Sequence, residues 1–232
     1  MTTLKSILPF ILLMAFASHA SGQTMIGIKG GVSWFSLRGD QEPDQGNGFT
    51  NYTSDPSWCV TLELKGRQPK AFHMGAFVRY SQNRYNLEMQ SGGHFPEGKN
   101  VNYELDYIYL AISPEFTVGK KAQLHCNIGP YLGVMIRSAR NGTSYSATWY
   151  PVVYTYYPVT GSANSELKGV DFGFQESIGI TCRINSWFGL SLEESGMLGF
   201  LNLNQYESPA KKSKSICLQF GVAFQFKTEE DD

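Results

Sequence analysis

The stretch Ala122-Gln-Leu-His-Cys-Asn-Ile-Gly-Pro-Tyr-Leu-Gly-Val-Met-Ile-Arg137 decides the fold. Its even positions are Ala122, Leu124, Cys126, Ile128, Pro130, Leu132, Val134 and Ile136, and its odd positions include Gln123, His125, Asn127, Gly129, Tyr131, Gly133 and Arg137. Side chains alternate across a strand with period two, so this stretch predicts one long strand with an apolar face opposite a small and polar one. Pro130 has no N–H to give to a ladder and predicts a bulge.

The alternation recurs. Ile216, Leu218, Phe220, Val222, Phe224 and Phe226 oppose Ser215, Cys217, Gln219, Gly221, Ala223 and Gln225, and Ile108 to Val118 follows the same rule. Val170 to Ile184 keeps it with one exception, Glu176 on the apolar face. Strands in soluble sheets average about 5 to 6 residues, whereas a tilted strand needs about 9 to 11 to cross a bilayer. The pattern gives strands at about 25–38, 58–66, 70–90, 101–118, 122–137, 167–184, 187–203 and 214–226. Short connections at Arg67–Pro69, Gly119–Lys121 and Asn185–Ser186 alternate with long ones near 39–57, 91–100, 138–166 and 204–213. Short turns on one rim and long loops on the other are the mark of a bacterial outer-membrane barrel. The expected fold is therefore all-β: an eight-stranded antiparallel up-and-down transmembrane β-barrel.

A soluble lipocalin-type barrel also alternates, so period alone does not choose the solvent. Strand length, the Gly-rich polar face, and Trp34, Trp58, Trp187 and Phe226 near strand ends favour lipid outside, with aromatic girdles at both interfaces. The N-terminus agrees. Lys5 precedes an apolar run from Ile7 to Ala17 and small residues around Ala20 and Gly22, as in a cleaved secretory signal. We expect residues 1–22 to be a signal peptide, 23–226 the barrel, and 227–232 an acidic tail beyond the Phe226 that barrel assembly machinery would read. The expected address is the outer membrane of a Gram-negative cell, in contact with its lipid.

A net charge of −1 gives no electrostatic footprint for nucleic acid. Cys59, Cys126, Cys182 and Cys217 lie far apart with no CxxC spacing, so they read as small apolar fillers rather than a zinc or redox motif.

Beyond these patterns, Ile26-Gly-Ile-Lys-Gly-Gly-Val32, Leu105-Asp-Tyr-Ile-Tyr-Leu110, Asn127-Ile-Gly-Pro-Tyr-Leu-Gly133 and the closing Leu218–Phe226 resemble the PorT-like, porin-like family of outer-membrane barrels. The resemblance covers nearly the whole mature chain. It implies the same barrel and brings no catalytic motif that maps onto these residues.

Eight strands enclose an interior that side chains can fill. Parity sends Lys29, Glu63, Arg79, Glu115, His125, Arg137, Asp171, Gln175, Arg183 and Glu193 inward, where mixed charge predicts a salt-bridged plug. Glu115 and His125 are expected to face each other across the Gly119–Lys121 turn. A carboxylate beside an imidazole is acid–base material, yet with no nucleophile or third partner a structural pair is the better reading. Glu63 and His73 across the first turn suggest a metal only if further ligands converge. We assign no catalytic, cofactor or metal residues. The segment from Thr143 to Gly161 is rich in aromatics, and Trp149, Tyr150, Tyr154, Tyr156 and Tyr157 predict a hairpin arm that meets a surface protein or glycan. Packing on neighbouring loops or at the membrane interface is the plainer alternative for them. The leading functional reading is a non-enzymatic barrel with structural, adhesive or ligand-binding loops. A small-solute porin comes second and a barrel enzyme third.

Overall fold

The computed structural model describes residues 23–39, 49–66, 72–91, 96–149, 152–164, 166–204 and 211–227. The expected signal peptide, the first short turn and the tail after Lys227 lie outside them. Among the described residues nine strands form: β1 (Gln23–Gly39), β2 (Phe49–Gly66), β3 (Phe72–Gln90), β4 (Glu97–Val118), β5 (Ala122–Trp149), β6 (Val152–Gly161), β7 (Val170–Arg183), β8 (Phe188–Gly199) and β9 (Lys211–Lys227). Eight of them close a ring by antiparallel pairing of neighbours, β9 returning to β1 and β7 pairing with β5. Followed once round the ring from Ile28 through its successive partners, the ladder returns to β1 at Arg38, ten residues further on. With eight strands that stagger corresponds to a tilt of about 40°.

The alternation becomes two surfaces. Leu124 and Ile128 are 54% and 58% exposed on the outside, while His125 and Tyr131 are 2% exposed within. Trp34, Trp58, Trp187 and Phe226 all lie on the outer surface, with Trp58 and Tyr80 packed at one rim and Trp187 and Phe224 stacked at the other. All four cysteines are free, Cys59 and Cys217 buried, Cys126 and Cys182 exposed.

Three local features depart from the sequence reading. Pro130 produces no bulge: the β4–β5 ladder is interrupted between Ala111↔Tyr131 and Glu115↔Asn127, where Pro114 and Pro130 both lack a donor, and resumes in the same register. The bulge comes at Ile136, because Asp106 pairs with Arg137 while Tyr107 pairs with Met135. One extra residue reverses the parity of everything that follows. Finally, the strands on one side continue beyond the ring. β2, β3, β4 and β5 rise past the long-connection rim and β6 joins them, so that Tyr52, Leu87, Val101, Gly142 and Val159 lie in one hydrogen-bonded row. Polar composition had made these extensions read as loop.

Candidate functional site

The inside of the ring is layered. Nearest the short-turn rim, seven side chains make one chain in which carboxylates alternate with lysines and imidazoles. His73 Nε2 lies 3.0 Å from Glu115, Lys65 Nζ lies 2.6 Å from Glu115 and 3.0 Å from Glu63, and Lys29 Nζ lies 2.8 Å from Glu63 and 2.5 Å from Glu193. His125 Nε2 closes the chain 3.1 Å from Glu193. Each carboxylate thus holds two cationic or imidazole partners, which offsets the desolvation that a lone buried charge would suffer. Above this belt Arg79 meets no carboxylate among the described residues. Its guanidinium donates to Thr61 at 3.0 Å, Ser195 at 2.9 Å and Gln219 at 3.1 Å, and stands over the Phe77 ring. Higher still, Tyr109, Tyr131, Tyr107, Tyr103 and Tyr85 join Phe35, Leu105 and Leu203 in an aromatic and aliphatic cluster. Within it Tyr131 and Ser213 both donate to Asp171 Oδ2.

The structure brings together Lys29, Glu63, Glu115, His125 and Glu193 of the sequence-derived set, with Arg79, Asp171 and Gln175 buried above them. Several expectations need correction. Glu115 and His125 are not opposite each other; Glu115 pairs with Asn127 and His125 with Thr117, because Val118↔Leu124 is the last rung and Gly119, at φ +109°, opens a wider turn. His125 instead reaches Glu193 over Gly179, the β7 residue that lies between them in the same row. His73 sits with Glu115 rather than Glu63. Arg137 faces outward beside Asp106 and Glu104, its side chain 61% exposed, since the Ile136 bulge reverses its parity. Arg183 ends β7 at the rim, only half-buried and outside the ion-pair chain, where water is within its reach. Lys65 was missed although its odd number places it on the same face as Glu63; two residues apart on one strand was the available signal. Among the described residues no group of three or more His, Cys, Asp or Glu is arranged to hold a metal.

The second region is the arm. β5 beyond the bulge and β6 pair from Arg140↔Gly161 to Trp149↔Val152. On its outer face Tyr145 is 5.9 Å from Tyr154 and 5.8 Å from Tyr156, ring centre to ring centre. Gly98 lies beneath the Tyr145 ring, where a Cβ would collide with it. Tyr154 and Tyr156 are 50% and 66% exposed, and Tyr157 is exposed on the opposite face. Trp149 is the last residue of β5, and Tyr150 lies outside the described residues. The β5 edge that faces β4 is occupied by residues from Glu97 on; β6 pairs with β5 alone among the described strands, so its far edge is open.

Glu166, in the connection from β6 to β7, anchors the base of the arm. It accepts from Tyr103 at 2.7 Å and meets Lys99 and Arg140. Burial alone would raise its carboxyl, but the Tyr103 hydrogen bond and the two cations outweigh burial and hold it below the usual carboxylate range.

A family model described as an outer membrane protein beta-barrel domain matches residues 16–205. Among solved structures, the chain is similar to the outer membrane protein OprG from Pseudomonas aeruginosa, with 11% identity over 90% of this chain and 97% of that one and a TM-score of 0.49. Neisserial surface protein A follows at 10% identity, covering 89% and 98%, with a TM-score of 0.46. Ail, the attachment invasion locus protein of Yersinia pestis, stands at 11% identity, covering 89% and 99%, with a TM-score of 0.44. No curated protein matches the chain.

Proposed function

The chain belongs to the outer membrane protein beta-barrel domain family and sits in the outer membrane, and on that premise we propose that it is a non-enzymatic binding protein working through its extracellular arm. The open edge of β6 beside exposed Tyr154 and Tyr156 carries this reading. An unpaired edge can take a partner's strand by main-chain hydrogen bonds, and tyrosines supply large contact area at little entropic cost. The ligand on this reading is a surface protein or a glycan.

The lumen supports a plug rather than a pore. The charges of its lower layer are engaged with one another, Arg79 and Asp171 are held by neutral hydrogen-bond partners, and the aromatic cluster covers the extracellular mouth. The finer PorT-like resemblance, and delivery by barrel assembly machinery reading Phe226 near the end of β9, belong to the same proposal. Deleting Thr143 to Gly161 should leave outer-membrane fractionation and heat-modifiable migration intact while abolishing surface binding. Protease added to whole cells should cut the arm. A deletion that prevents barrel folding, or stepwise conductance by the intact protein in planar bilayers, would refute the reading.

A further inference from the structure

The outward rows of the ring are apolar through the depth of the bilayer, with two exceptions side by side. Glu176 on β7 and Glu194 on β8 both project outward and exposed, flanked along their strands by Phe174 and Ile178 and by Leu192 and Gly196. Among the described residues every other charged side chain on these rows lies towards the extracellular end, Lys214 being the nearest. Glu176 pairs with Gly196 and Ile178 with Glu194, so the two carboxylates sit on adjacent rungs of one ladder. With a rise of about 3.3 Å per residue and a tilt of about 40°, they differ in depth by only about 2 Å and stand near the middle of the apolar band. By the same geometry Lys214 stands about 11 Å higher.

Among the described residues neither carboxylate has an ion-pair or hydrogen-bond partner. Both line a groove of about 750 Å³ in the outer wall, together with Phe116, Ile128, Ile178 and Ile216. Gly196 keeps the groove open beside Glu176, whose carboxylate a Cβ at that position would crowd. Carboxylates facing hydrocarbon act against barrel stability, and an intramembrane charge ordinarily marks a site with a partner.

We infer that this wall docks a second membrane-spanning protein that brings a basic side chain to mid-bilayer depth, where it meets Glu176 and Glu194. Charge complementarity selects that occupant. A second copy of the chain, related by a two-fold axis along the membrane normal, keeps every residue at its own depth and would set these carboxylates against each other, its Lys214 standing at the upper end of the groove rather than at their depth. A lipid headgroup stays at the interface and does not reach them.

The test refolds the barrel into phosphatidylcholine vesicles with a synthetic Leu-rich spanning helix carrying one central Arg, or none, and reads association by energy transfer. The Arg helix should associate at least about ten-fold more strongly, and E176Q/E194Q should remove that preference. Equal association of the two helices, or a preference that survives in E176Q/E194Q, overturns the proposal. Energy transfer between two labelled copies that is lost in E176Q/E194Q assigns the wall to self-association and overturns it too. E176L/E194L should fold with an unchanged or raised unfolding midpoint. If instead it fails to fold, these carboxylates hold the barrel itself and the docking role falls, while E176Q/E194Q still reports on helix binding.

Discussion

Below Leu132, strand β5 alternates between enclosed His125 and Tyr131 and lipid-facing Leu124 and Ile128; above Ile136 the same strand carries Asn141, Thr143, Ser144 and Thr148, with its outer face in water. Backbone ladders run through both halves, apart from the gap at Pro114 and Pro130 and the bulge at Ile136, so hydrogen bonding is not what distinguishes them. The outward row is. Where it meets hydrocarbon it is apolar, and where it meets water it turns polar and aromatic, with Tyr145 stacked among Tyr154 and Tyr156. The inward row changes in the opposite sense, from an ionic chain low in the lumen to a tyrosine-rich cluster beneath the arm. Period two therefore identifies a strand, while the composition of the outward row identifies its solvent.

The comparison breaks most visibly in the lower lumen. Lys65 links Glu63 to Glu115 with its side chain 2% exposed, so Lys65→Met leaves two carboxylates facing each other without their ammonium. Removing one partner of a buried pair costs about 3–5 kcal/mol. Urea unfolding in lipid vesicles should show that loss, and a change below about 1 kcal/mol would mean the chain of charges is hydrated and the plug is loose.

The second effect is set by the outer face. Ile128 stands near mid-bilayer and Thr143 stands beyond it, on one strand. Ile128→Arg should cost about 2–4 kcal/mol in the same assay, and Thr143→Arg under about 0.5 kcal/mol. Equal costs would show that the extended half of β5 also lies in lipid. Leu132 and Tyr131 lie on opposite faces of the same strand, but Leu132 is close to the extracellular boundary, where the cost of a charge is smaller.

Ring and face were legible because burial in lipid and burial in the lumen impose opposite chemistry on alternate residues over long runs. Arg137 was misplaced because nothing in Val134-Met-Ile-Arg137 marks the bulge at Ile136; the insertion reverses parity without a Gly or Pro to announce it. The Glu115–His125 expectation failed by one rung for the same reason, since a turn's width is not fixed by its composition. His125 and Glu193 are far apart in sequence, and no period connects them. The hairpin of the arm could be expected from its aromatic alternation between Pro151 and Pro158, whereas its support by β2, β3 and β4 could not, because strands in water need no apolar outward row.

The smallest expected effect sharpens the comparison at the arm's base, where a charge works in water rather than in the lumen. Glu166 binds Tyr103, Lys99 and Arg140, and these hold its folded carboxyl below the range it has in an unfolded chain. A depressed carboxylate stabilises the folded state fully above its unfolded value near pH 4.5 and loses that contribution as pH falls through the folded value. The anchor is partly open to solvent, so its contribution is about 1 kcal/mol or less. Limited proteolysis of the connection from β6 to β7 should therefore be slow and flat from pH 8 to about pH 5 and accelerate below about pH 4, while the ring stays heat-modifiable throughout. E166Q keeps the Tyr103 hydrogen bond but drops the ion pairs, so its proteolysis should be modestly faster at neutral pH and lack the acid-side rise. If the wild-type rate is the same at pH 3 and pH 7, the arm is held by its tyrosines and its ladder to β4 alone, and the electrostatic anchor contributes nothing.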